Sequence, residues 1–212
     1  MQKLITTMTL AALAGSAVAG SNITGPFALH IIGKLNKSID GYAGACHAGA
    51  ATEGLCYTAG GPVTGDYYSF YYNYTEYEDR ESKYYGSIVY NFTYTDSNDQ
   101  IVTLPSAAEI TGHDYATNVQ SILFPPGGGY YQAEEPFSAD DEGSFYITGY
   151  FDDSSANATL PTYNSYPRLY NFHLCFQYTG TYWYHSVAWV TSEPPHNPSC
   201  EPIWLSMAPL AT

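Results

Sequence analysis

Polar and apolar positions along this chain alternate in short runs with a period of two. Tyr, Phe, Thr, Val and Ile gather in these runs, and Gly, Pro, Asn and Asp separate them. That is the make-up of half-buried strands and their turns. Strands are predicted near 26–33, 67–75, 84–95, 100–104, 119–124, 144–151, 168–179, 182–191 and 201–207. No segment carries a convincing helical apolar stripe. Short strands at regular spacing without helices between them predict an all-β fold. The expected form is an antiparallel β-sandwich of jelly-roll-like or Greek-key connectivity, with a barrel as its near relative.

Acceptor sites for N-glycans give a prediction of facing. N-x-Ser/Thr occurs at Asn22, Asn36, Asn73, Asn91 and Asn157, while Pro198 removes Asn197. A glycan must face solvent. In "YYSFYYNYT" (67–75), an outward Asn73 sends Tyr67, Ser69, Tyr71 and Thr75 out, and Tyr68, Phe70, Tyr72 and Tyr74 in. In "SIVYNFTYT" (87–95), an outward Asn91 turns Ile88, Tyr90, Phe92 and Tyr94 inward, with Val89 and Thr93 outward. Tyr67 and Tyr71 are thereby the candidate residues of an exposed aromatic binding platform. The chain holds 23 tyrosines, and a tyrosine ring either lines a core rim or stacks on a sugar.

The first residues, "MQKLITTMTLAALAGSAVAGS", set a lysine before an apolar stretch and a small-residue Ala17-Val18-Ala19 site. This is the layout of a secretory signal peptide over 1–19, which leaves 20–212 as a single domain. Extracellular location is the expectation. Acidic residues number 20 against 6 basic ones, for a net charge of −14. A chain of that sign repels phosphate backbones, so no nucleic-acid partner and no anionic membrane partner is expected.

Cys46, Cys56, Cys175 and Cys200 are an even set in a chain read as secreted, so two disulfides are expected. Of the three pairings, proximity in sequence favours Cys46–Cys56 and Cys175–Cys200. The stretch "GACHAGAATEGLC" (44–56) is then a stapled loop, with His47 as a loop residue.

Catalytic chemistry leaves little trace. There is no G-x-S-x-G elbow and no paired-histidine zinc spacing. His173 and His185 read as packed or hydrogen-bonded strand residues. Glu76 and Glu78 would share a strand face, but "EYEDRES" resembles a solvated turn. Asp140 and Asp141, with Asp152 and Asp153, form acidic groups flanking "GSFYITGYF". A calcium ion is the cation such oxygen-rich loops would suit. Without calcium-loop spacing, solvated loop acids and no cofactor are the preferred reading. No catalytic residue is assigned.

Three stretches carry a family likeness: "FALHIIGKLNKSIDGYAGACHAGAATEGLC", "NVQSILFPPGGGYYQAEEPFSADDEGSFYITGYFDDS" and "LCFQYTGTYWYHSVAWVTSEPPHNPSC". The C-H-A-G-A-A-x-E-G-L-C motif, the acidic "FDD" strand end and the closing W-V…P-x-N-P-x-C resemble a family of secreted proteins from filamentous fungi. That family is described as a domain of unknown function. Thr191-Ser192-Glu193 stands where its pattern has a glycine-bearing turn. The resemblance implies a secreted fungal protein that is mainly β, and it implies no activity. The function expected is a non-catalytic secreted protein of the fungal surface that binds a carbohydrate or host component. The alternatives are a cell-wall polysaccharide hydrolase with a carboxylate pair, and a structural wall component.

Overall fold

Side-chain alternation decides which residues of each strand meet in the space between two sheets. The computed structural model describes residues 22–76, 84–111, 116–127, 137–148, 167–179 and 182–211. The signal-peptide assignment lies outside these residues. The strands are β1 (Asn22–Gly33), β2 (Asp40–Gly49), β3 (Thr52–Ala59), β4 (Phe70–Glu76), β5 (Tyr84–Thr95), β6 (Ile101–Ala107) and β7 (Glu109–Thr111). They continue with β8 (Val119–Phe124), β9 (Phe137–Ala139), β10 (Phe145–Thr148), β11 (Arg168–Leu169), β12 (Phe172–Thr179), β13 (Tyr182–Val190) and β14 (Glu201–Ala208). A 3-10 turn covers Asp66–Tyr68, and no α-helix occurs among the described residues. Every strand pairing is antiparallel.

One sheet runs β11-β10-β9-β5-β4-β1, with β6 also on β5. The other runs β1-β14-β12-β13-β3-β8-β7, with β2 joined to β1 and β3. β1 belongs to both: it pairs with β4 as far as Phe27, across a register shift between Thr24 and Phe27, and with β14 from Ala28. Gly25 makes this possible: it has φ 131°, and a β-carbon there would lie 2.8 Å from the Phe70 carbonyl oxygen. Only glycine fits such a backbone approach.

The core fills the space between the sheets. Phe27, Phe70, Tyr72, Ile88, Tyr90, Phe137 and Phe145 enter from one side, and Leu29, Ile31, Leu55, Leu174, Val187, Ile203 and Leu205 from the other. Ring pairs Phe137–Phe172 (6.2 Å) and Phe70–Phe124 (5.8 Å) join the layers. Each such side chain contributes about 1.5–3 kcal/mol on burial. Tyr72 is the polar exception, and it donates its hydroxyl to the Phe137 carbonyl at 2.8 Å. Burial drives its phenol far above the usual range, with Tyr146 and Tyr74 adding to the shift.

The predicted facing holds for one side of the first sheet only. Phe70, Tyr72, Ile88 and Tyr90 do face the core. The opposite face is not the open glycan-bearing surface expected. Asn73 is 1% exposed, and Ser87, Val89, Ser138 and Tyr146 on its face are also buried. Asn73 is therefore not presented as an acceptor in the folded chain. Tyr94, expected inside, is exposed near the end of β5. Tyr67 and Tyr68 precede the strand in the 3-10 turn, so strand alternation does not govern them.

β2 and β3 are the main strands that the sequence pattern missed. "GACHAGAATEGLC" is a hairpin rather than a loop: Gly44 pairs with Cys56 and Cys46 with Gly54, turning through Ala50 and Ala51. Its glycines and alanines carry no β signature, yet close packing selects them. A β-carbon on Gly44 would meet the Tyr68 ring at 2.7 Å.

Both disulfides pair as sequence proximity favours, Cys46–Cys56 and Cys175–Cys200. In the second sheet the pairings form a circuit, from β1 to β14, β12, β13, β3, β2 and back to β1. The link between β13 and β3 is the pair Ser186 and Cys56. Cys175 sits directly across from Ser186 on the other side, so one cross-strand row holds a cysteine of each disulfide.

Candidate binding surface

The β12–β13 hairpin is two-faced. Phe172 pairs with Trp189 and Leu174 with Val187, and all four rings or side chains face the core. The same face continues past the core with Phe176 opposite His185 and Tyr178 opposite Trp183. There the side chains come out into solvent: Phe176 is 43% exposed, Tyr178 57% and Trp183 62%. His185 is exposed as well.

These four rings form one continuous surface. Phe176 stacks on Trp183 with centroids 5.4 Å apart and planes 22° apart. Phe176 also touches His185 at 5.0 Å, and Tyr178 touches Trp183 at 5.5 Å. Strand geometry spaces the two rings of each strand by about 6.8 Å and the strands by about 4.8 Å. The underside is buried at Gln177, Thr179 and Ser186. Gln177 donates to the Ser186 hydroxyl at 2.9 Å, and Thr179 is buried. A β-carbon at Gly54 would lie 3.5 Å from Thr179 Cγ2 and 3.6 Å from Cys46 Sγ. The Tyr182 ring meets His47 at 5.7 Å. The hairpin thus rests on the disulfide-bonded β2–β3 pair and holds its aromatic side up.

A loop braces the edge of this surface. Asn197 Nδ2 donates to the Phe176 carbonyl at 3.0 Å, and the Phe176 amide donates to Ser199 Oγ at 2.9 Å. Asn118 fixes the start of the loop: its Nδ2 donates to the carbonyls of Ser192 (2.6 Å) and Pro194 (2.9 Å), and its Oδ1 accepts from the His196 amide (2.7 Å). His173 is buried between the Asn171 carbonyl and Glu193 Oε1, each 3.1 Å away. It is the hydrogen-bonded strand residue the sequence suggested. His185 is instead a member of the exposed aromatic row.

The sequence-derived candidates fare unevenly. Tyr67 is exposed on the 3-10 turn, whereas Tyr71 is half-buried on β4. A β-carbon at Gly25 would lie 2.9 Å from the Tyr71 ring, so Tyr71 packs against the β1 crossover. Of the two, only Tyr67 stands well out in solvent. Asp140 turns its carboxylate inward to its own turn, accepting from the Glu142 and Ser144 amides (3.1 and 2.7 Å) and from the Tyr170 hydroxyl (3.2 Å). Asp141 is exposed, and Asp152 and Asp153 lie outside the described residues. Among the described residues no three His, Cys, Asp or Glu side chains gather as metal ligands. Asn22 and Asn36 are exposed, Asn91 is half-buried, and Asn157 lies outside the described residues, as does Glu78.

One acid escaped notice in the sequence. Glu53 on β3 pairs with His47 and Phe124 and is partly buried. Desolvation lifts its carboxyl above the ordinary range, and His47 pulls it partly back. The same environment acts on Tyr90, whose phenol rises to about 12 through burial and the nearby Glu53, Tyr67 and Asp66.

Among the described residues no helix is long and apolar enough to cross a membrane. No protein-family model, curated protein or solved structure matches this chain.

Proposed function

We propose that this is a secreted, non-catalytic protein that binds glycan chains on the Phe176, Tyr178, Trp183 and His185 face. One observation carries the reading. Four aromatic rings in contact stand in solvent on a hairpin whose other side buries Gln177, Thr179 and Ser186. Exposed apolar area of this kind marks recognition surfaces, and flat rings suit the C–H faces of sugars. Disulfides accord with an oxidising, extracellular setting, and the fungal likeness of the motifs agrees with it. The row carries no fixed charge, and a net charge of −14 disfavours polyanions. Neutral glycans are the expected class.

The test is a glycan array probed with residues 20–212 and with the Phe176→Ala/Trp183→Ala double variant. Binding to neutral glycans by the parent, lost in a variant of unchanged melting temperature, supports the proposal. Silence of the parent on the array, together with reducing sugar released from fungal or plant wall, overturns it in favour of a hydrolase. Silence in both assays points to a wall component.

A further inference from the structure

His173 makes two contacts that a neutral imidazole cannot satisfy beside a carboxylate. Its Nδ1 lies 3.1 Å from the Asn171 carbonyl oxygen, and its Nε2 lies 3.1 Å from Glu193 Oε1. A carbonyl oxygen only accepts, so the hydrogen on that side belongs to Nδ1. The carbonyl is itself fixed, since the Val190 amide donates to it at 3.0 Å. A neutral ring would then turn the Nε2 lone pair toward the lone pairs of Glu193. The contact is attractive only when a second proton lies between the two groups.

The two partners differ in freedom. The His173 side chain is 2% exposed on β12, whereas that of Glu193 is 57% exposed on the loop that follows β13. Ser192 and Pro194, which flank Glu193, are held by Asn118, and farther along Asn197 and Ser199 bond the Phe176 backbone. The loop thus runs from the buried histidine to the edge of the aromatic row. Across from His173 stand Ala188 on β13 and Pro202 on β14, neither of which carries a charge. Lys34, at the end of β1, feels the charge of Glu193 but is engaged with the Tyr170 carbonyl. Glu201 pairs across from the neighbouring Leu174, and His196 lies in the loop with its amide on Asn118.

We propose that His173 and Glu193 form a proton-operated latch on the aromatic row. As an imidazolium, His173 donates from Nδ1 to Asn171 and from Nε2 to Glu193, and the loop is held against Phe176. As pH rises the Nε2 proton passes to solvent, the ring keeps its Nδ1 hydrogen, and Glu193 is released. Glycan binding is therefore tighter in acid. That last step rests on the reading of the row as a glycan site, while the latch itself belongs to the loop.

Nitrogen-15 NMR of the imidazole rings in the full folded chain tests this between about pH 5 and pH 8, where imidazoles change charge. His173 should carry hydrogens on both nitrogens at the acid end and on Nδ1 alone at the upper end. Amide protection factors at Phe176 and His196 should fall by about threefold or more over the same interval, a fraction of one charge-assisted hydrogen bond. Glu193→Gln, at an exposed side chain, should abolish that fall. Its amide oxygen accepts from Nε2–H and its amide nitrogen donates to the bare Nε2, so it meets either form of the ring. Cellohexaose, a neutral oligosaccharide, serves as the binding probe. The parent should bind it about threefold or more tightly at the acid end, and Glu193→Gln should lose the difference. A His173 ring that keeps one protonation state throughout overturns the proposal, as does protection that falls equally in Glu193→Gln. A difference in affinity that persists in full in Glu193→Gln belongs to His185 in the row and likewise overturns it. No cellohexaose binding at either end counts against the glycan reading alone, and the ring and amide measurements still decide the latch.

Discussion

Glu53 makes the pH dependence of this fold readable at a single residue. Desolvation raises its carboxyl in the folded chain, so the fold holds that proton more tightly than the unfolded chain does. Stability from this group is present below the ordinary glutamate range and is lost as pH rises through the raised folded value. Glu53→Gln removes that loss. Its melting temperature is expected to exceed the parent's at pH 7 and to converge with it below about pH 4, near the unperturbed glutamate value. Thermal melts across that range check the sign, and a parent that gains stability as pH rises relative to the variant refutes it. Asn118 is the other residue whose role emerges only in three dimensions. Its amide ties Ser192, Pro194 and His196 together, and Asn118→Ala removes all three of these part-buried bonds at once. A loss of about 2–3 kcal/mol in urea unfolding is expected. Neither residue was legible in sequence. Glu53 in "AATEGLC" has the look of a solvated turn acid, and Asn118 has no near neighbour in the chain among its partners.

Whole elements were easier to foresee where side chains carry the signal. β5, β8, β12, β13 and β14 stand close to where aromatic and β-branched alternation predicts them. β2 and β3 did not declare themselves, because "GYAGACHAG" is built to let neighbours come close, with Gly44 under the Tyr68 ring. Gly44→Ala should therefore destabilise by about 1–3 kcal/mol, the usual effect of overfilling a packed site, measured by the same unfolding assay. The glycan-site rule failed for a related reason. It assumes a sheet with one open face, and the face of Asn73 and Ser87 is buried. The exposed aromatic row on β12 and β13 went unforeseen because alternation shows which residues share a face but not where the core ends. On β12 and β13 that end falls between Leu174 and Phe176. Phe176→Ala and Trp183→Ala should each leave the melting temperature within a few degrees of the parent while lowering affinity for a neutral glycan. A collapse in stability would instead make the row a packing element.

Across the whole molecule, charge and disulfides were the traits most directly readable, since both are properties of composition and context. A chain at −14 attracts cations over a distance set by salt. The closed strand circuit could not be read from the sequence, because it depends on the single pairing of Ser186 with Cys56 between segments 130 residues apart. That pairing has a further mechanical meaning. One disulfide lies within the β2–β3 hairpin and the other runs from β12 to Cys200, so neither crosses the seam between β3 and β13. The seam can part with every covalent bond intact, and what spans it is β8, which pairs with both strands. Oxidation therefore stiffens the two sides of the seam separately, and the seam itself is held by backbone hydrogen bonds and side-chain fit.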